Sequence, residues 1–161
     1  MKLIWGFVTT ICLLSLSALT NADGWQLVDL GEEASYQSKP QEGSSKYLAE
    51  LKLHTVEEIT ALLDRAESYH QENGDTDPTP IQLVLHGGEA HFFRKKNYEQ
   101  YKNIVDKAAK LDAFNVVDVK VCETWMRFND TNKSEFPAFI DTVPLGTAEK
   151  SRLMKEGYTY F

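Results

Sequence analysis

Cysteine is scarce in this chain. Only Cys12 and Cys122 occur among 161 residues, and Cys12 lies inside the apolar run that opens the sequence. A disulfide scaffold is excluded, and so is a Cys-x-x-Cys redox pair, because no second thiol lies near Cys122 to resolve a disulfide. Positive charge is also short. Seventeen Lys and Arg stand against twenty-four Asp and Glu, for a formal net charge of −7. Such a balance is unsuited to nucleic acid or to anionic membrane surfaces. The only basic cluster is Phe93-Arg94-Lys95-Lys96, which reads as a solvated turn. No G-x-x-x-x-G-K phosphate loop and no internal repeat occurs, and no long hydrophobic run follows the first two dozen residues.

What the chain does have begins with a leader-like segment. In "MKLIWGFVTTICLLSLSALTNADG" a lysine at position 2 precedes an apolar run from Leu3 to about Leu19. Thr20 and Ala22 then stand at the −3 and −1 positions of a cleavage site, the layout of a secretory signal peptide over residues 1–22. Cleavage predicts a product without a membrane segment, periplasmic or secreted. It would hold 139 of the 161 residues, and loss of Lys2 takes the charge from −7 to about −8. Residues 23–45, rich in Gly, Ser, Glu and Gln, read as an extended arm, and residues 46–161 as one domain.

From Tyr47 onward strands alternate with helices. "KYLAELKL" alternates as a strand does, and "HTVEEITALLDRAESYH" carries apolar residues at helical spacing behind a Thr55/Glu58 capping box. "IQLVL" is a short apolar strand that ends on "HGGEAH". A helix with Tyr98, Tyr101, Ile104, Val105, Ala108 and Leu111 on one side follows. "NVVDVKV" is the next strand, "TWMRF" a short helix, and "FIDTVPLG" a strand around Ile140 to Val143. "TAEKSRLMKE" is a helix with Thr147 as its expected N-cap and Gly157 beyond its end, and "YTYF" closes the chain as a strand. Short apolar strands joined through helices predict parallel pairing. The expected fold is a three-layer α/β/α domain with a five-stranded, mainly parallel sheet.

Ligands of open α/β sheets bind beyond the carboxyl ends of the strands. Three features fall at such ends: His86-Gly87-Gly88, Cys122, and Pro144-Leu145-Gly146. A thiol just ahead of a helix start feels the partial positive charge of that terminus, which favours its anion, while the neighbouring Glu123 opposes it. An unpaired thiol in an exported chain is a candidate nucleophile, and a buried cysteine acting as a small hydrophobe is the alternative. His86 offers an acid, a base or a hydrogen bond near neutral pH, or simply fastens its loop. Gly87, Gly88, Pro144 and Gly146 are the expected pocket walls. His86, Glu89 and His91 do not have zinc-motif spacing, so neither a metal nor a cofactor is expected. His54 and His70 flank the first helix as surface residues. Asn129-Asp130-Thr131 and Asn132-Lys133-Ser134 match the glycosylation pattern, or serve as polar loop residues.

Taken in order, "IQLVLHGGEAHFF", "VVDVKVCETWMRF" and "IDTVPLGTAEKSRLMKEGYTYF" resemble the DsrE/DsrF-like family of small sulfur-relay proteins. The last stretch is the most specific, because it resembles that family's closing pattern of Val-Pro-x-Gly, a helix, Gly-Tyr and a short strand. The resemblance covers about residues 47 to 161. It implies a five-stranded parallel sheet between helices and a homo-oligomer, often a trimer or hexamer. It also implies that Cys122 matches the cysteine that carries a persulfide in sulfur-relay members. "NDTNKSEFP" departs from the Gly-rich link expected between that helix and the next strand.

Two functions follow as expectations. One is an exported sulfur carrier or sulfurtransferase. In it Cys122 accepts a sulfane sulfur from a donor protein and passes it to an acceptor, with His86 assisting. The other is a non-catalytic, homo-oligomeric protein that binds a small ligand and keeps Cys122 as a structural residue. Flavin or nucleotide binding by analogy of architecture has no phosphate-binding signature behind it.

Overall fold

The computed structural model describes residues 46–73 and 79–161. The leader-like run, the arm at 23–45 and the loop at 74–78 lie outside the described residues. Five strands form one sheet: β1 (Tyr47–Ala49), β2 (Ile81–Leu85), β3 (Val117–Cys122), β4 (Asp141–Val143) and β5 (Thr159–Tyr160). Every pairing is parallel, and the order is β4-β3-β2-β1-β5. The helices are α1 (Val56–Asn73), α2 (Tyr98–Ala113), α3 (Glu123–Phe128) and α4 (Gly146–Lys155). A 3-10 segment, Gly88–Phe93, and a further short one, Lys95–Asn97, precede α2.

Side chains alternate across a strand, so the register assigns them to two faces. On one face Tyr47, Ala49, Ile81, Leu83, Leu85, Val117, Val119 and Val121 are all buried and apolar. Against them α1 lays Ile59, Leu62, Leu63 and Ala66, and α2 lays Ile104, Val105, Ala108 and Leu111. Met126 of α3 joins the same core. Each such side chain, fully buried, contributes about 1.5–3 kcal/mol, so this face holds most of the apolar stabilisation. The opposite face is mixed. Gln82, Asp118 and Lys120 alternate there with Leu48, Val84 and Cys122. α4 covers it: a Cβ on Gly146 would meet Val84 Cγ1 at 3.4 Å, and Lys120 Nζ reaches Glu149 at 4.0 Å. Lys120 is otherwise satisfied by Gln82 Oε1 at 2.7 Å and Asp118 at 2.9 Å.

Several local expectations change. α4 starts at Gly146 behind Leu145, so Thr147 is inside the helix rather than its N-cap. Gly157, with φ of +88°, ends that helix in the left-handed region that glycine tolerates. Thr55 Oγ1 accepts the Glu58 N–H at 3.2 Å as a capping box requires. The Glu58 carboxylate, however, collects the N–H groups of Lys52, Leu53 and His54 at 2.7 to 2.9 Å. The Phe93–Lys96 cluster is not a simple solvated turn. Arg94 is buried and pairs with Glu135, and Lys95 Nζ donates to the Ser134 carbonyl at 2.7 Å. Both basic groups thereby fasten the loop after α3, where Asn132 and Glu135 form their own capping box.

Candidate functional site at the strand ends

Right-handed crossovers put the helices that follow β1, β2 and β3 on one face of a parallel sheet whose strands are added in one direction. The chain then reverses, and α4 returns across the other face to reach β5. The ends of β3 and β4 are therefore where successive connections part, the switch point at which open α/β sheets bind ligands.

Cys122 is the last residue of β3 and sits at that point. Its Sγ accepts the Trp125 N–H from the first turn of α3 at 3.5 Å and the Gly146 N–H from the first residue of α4 at 3.3 Å. Two helix starts, one on each side of the sheet, thus aim backbone donors at one sulfur atom, where their partial positive charge meets it. The residue is only 4% exposed. The Trp125 ring packs edge-on to His91 at 4.8 Å and lies near Phe136 at 6.4 Å. Glu123, expected to oppose the thiolate, accepts from Thr142 Oγ1 at 3.0 Å. Thr142 pairs with Val121, so that contact lies on the opposite face from Cys122 and Val143.

His86 and Gly146 are brought together. A Cβ on Gly146 would come within 3.2 Å of His86 Cβ and 3.5 Å of its Cδ2. The space left by glycine is what lets the His86 side chain pack over the start of α4. His86 and Cys122 therefore adjoin the same residue, although no hydrogen bond joins them among the described residues. The His86 side chain is exposed, and its ring meets that of His54 edge-on at 5.5 Å. Pro144 is exposed and accepts from Thr124 Oγ1 at 2.9 Å, which ties the β4–α4 turn to α3. Gly88 opens the 3-10 segment, and a Cβ there would meet nothing closer than the His54 carbonyl at 3.5 Å.

Gly87 belongs to a second arrangement that sequence reasoning missed. Glu89, with 0% exposure, accepts the backbone N–H groups of His86 at 2.7 Å and Gly87 at 2.9 Å on Oε1. Its Oε2 binds His54 Nδ1 at 2.5 Å. A methyl group on Gly87 would lie 2.6 Å from His54 Cε1 and 2.7 Å from Glu89 Oε2, so only glycine fits beneath that pair. His54 is consequently not a free surface residue. Its φ of +55° is a left-handed conformation, one that histidine adopts more readily than most residues other than glycine. The Glu58 carboxylate holds it there through the N–H groups of Lys52, Leu53 and His54 itself. The His86 ring meets His54, the Glu89 carboxylate binds His54 and the His86 and Gly87 N–H groups, and the His91 ring packs on Trp125. The signal that would have revealed the pair is a carboxylate two residues after a glycine, too weak a pattern to read without the fold.

Among the described residues a single thiol stands at the switch point of a five-stranded parallel sheet with helices, and the fold is that of a small α/β domain. A profile of the DsrE/DsrF-like family matches residues 37–161, and the chain belongs to that family. Among solved structures it is similar to a protein of unknown function from Methanobacterium thermoautotrophicum, at 17% identity and a TM-score of 0.51. The match covers 71% of this chain and 93% of the other, and it speaks to the fold alone. No curated protein matches the chain.

Proposed function

We propose that this protein handles sulfane sulfur and that Cys122 carries it as a persulfide. The observation behind this reading is the convergence of the Trp125 and Gly146 N–H groups on Cys122 Sγ at the switch point. Donors fixed in this way stabilise a sulfur anion as nucleophile and again as leaving group. In loading, the Cys122 thiolate attacks the outer sulfur of a donor persulfide, R–S–SH. The new bond joins Cys122 Sγ to that sulfur, the donor S–S bond breaks, and R–S⁻ departs to be protonated by solvent. No oxidant or reductant is consumed. Within this proposal His86 borders the loaded sulfur across Gly146, and Pro144, Gly87 and Gly88 frame the approach.

The leader-like residues 1–22 support placing this chemistry outside the cytoplasm, and the family resemblance supports a homo-oligomer that exchanges sulfur with a partner protein. A second reading has its own observation. With 4% exposure and a hydrogen bond to Trp125 N, Cys122 also suits the role of a structural cap for α3. The two separate on treatment of the protein with polysulfide followed by mass analysis. Sulfur handling predicts a gain of about 32 Da on the Cys122 peptide that reduction removes and that Cys122→Ser abolishes. A Cys122 peptide of unchanged mass would support the structural cap and reject the carrier.

A further inference from the structure

Glu89 has a consequence for catalysis. An ionised carboxylate only accepts hydrogen bonds, and Glu89 already accepts two backbone N–H groups. With Glu89 ionised, His54 donates from Nδ1 to Oε2, which leaves Nε2 as the acceptor when the ring is neutral. A buried carboxylate holding one imidazole nitrogen so that the other is poised for a proton is the logic by which histidine bases are oriented and their charged form stabilised. Here the ring is also fixed from the backbone side, by the Glu58 contacts and the left-handed conformation. Its side chain keeps 30% exposure, and Nε2 has no protein partner among the described residues.

The position matters as much as the orientation. When a persulfide on Cys122 gives up its sulfur, the outer sulfur stands about 2 Å from Sγ. The attacking thiol approaches to about 3–3.5 Å beyond that. A base serving that thiol must therefore sit well away from Sγ. The His54 ring lies 5.5 Å from that of His86, which packs over Gly146, the residue whose N–H reaches Cys122 Sγ. We infer that His54, oriented by Glu89, is the proton acceptor for the thiol that takes sulfur from Cys122. The inference rests on the sulfur-carrier reading. In the step, His54 Nε2 takes the S–H proton of R–SH, and R–S⁻ attacks the outer sulfur of the Cys122 persulfide. The S–S bond breaks, R–S–SH leaves, and the Cys122 thiolate remains under the Trp125 and Gly146 N–H groups. The proton then passes from His54 to solvent or to Cys122. Glu89 is a positioning residue in this scheme.

The test is single-turnover transfer from polysulfide-loaded protein to a small thiol such as dithiothreitol, followed by mass analysis. His54→Ala should load normally yet transfer about 100-fold more slowly, and added imidazole should restore much of the rate. Glu89→Gln should slow transfer in the same direction without imidazole rescue, while His70→Ala should transfer as the unaltered protein does. Thermal melting of each variant separates a folding defect from a chemical one, and rescue by imidazole cannot arise from misfolding. Transfer by His54→Ala at the unaltered rate would overturn the inference while leaving the carrier reading in place. Failure of the unaltered protein to load any sulfur would instead remove the carrier reading and this inference with it.

Discussion

Two acceptors at the carboxyl end of the sheet are each surrounded by fixed donors, and they are held very differently. Glu89 is a carboxylate with no exposure, bound at 2.5 to 2.9 Å by two backbone N–H groups and His54. Cys122 is a thiol that receives two N–H groups at 3.3 and 3.5 Å, long and weak contacts to a soft atom. The first arrangement joins the β1–α1 loop to the turn after β2 and engages both carboxylate oxygens in short bonds. In the second, two donors face an atom that holds them loosely when neutral and strongly when anionic. A firmly bonded hub together with a loosely satisfied sulfur suits a reactive site, since the scaffold stays fixed while the reacting atom changes charge.

Substitutions can break the contrast. The largest effect belongs to Glu89→Leu, which strands the part-buried N–H donors of His86 and Gly87 together with His54 Nδ1. Each unsatisfied donor costs about 1–3 kcal/mol, so urea unfolding should show a loss of about 3–5 kcal/mol. Gly87→Ala comes next. Its methyl group displaces His54 or Glu89, with an expected cost of about 1–3 kcal/mol in the same measurement. Cys122→Ser should do little to folding, about 1 kcal/mol or less, because a hydroxyl still accepts from Trp125 and Gly146, but it should remove all sulfur loading. A large loss of stability in Cys122→Ser with none in Glu89→Leu would reverse the assignment of hub and reactive atom.

The smallest effect sharpens the comparison by lying outside both arrangements. Arg94, with Thr131, holds the Glu135 carboxyl down to about 2, and Lys110 with Lys107 does the same for Glu67. Their folded values lie below the ordinary carboxylate value, so the stability they supply is full above about pH 4.5 and is lost as pH falls towards 2. Unfolding midpoints from pH 5 down to about 2 should decline modestly, since these pairs are solvent-screened. Glu135→Gln should flatten part of that decline. A slope unchanged by that substitution would assign the acid response to other carboxylates.

Much of this fold was legible in the sequence. Apolar alternation in "IQLVL" and "VVDVKV" and the 3.6-residue spacing of Ile104, Val105, Ala108 and Leu111 report directly on burial, which is the property that selects strand or helix. The order of those elements then implied a parallel sheet, and the strand-end rule brought Cys122, His86 and Gly146 into one place. The Glu89–His54 pair was not legible, because its partners lie 35 residues apart on two loops and neither loop has periodicity. A glycine required by a neighbouring ring, such as Gly87, looks in sequence like any other turn glycine. Arg94 failed for a related reason: a buried ion pair with Glu135 shows in sequence only as one more charge in a polar stretch.

The central claim is that Cys122 reacts in the folded protein despite being 4% exposed. Its most direct test is the rate of iodoacetamide alkylation near neutral pH, native against unfolded, with peptide mapping to read Cys122 apart from Cys12. Native alkylation is expected within about tenfold of the unfolded rate, because the sulfur is held only by two weak donors at the carboxyl end of β3. Protection of about a thousandfold or more, relieved only by unfolding, would make Cys122 a structural cap and contradict the account.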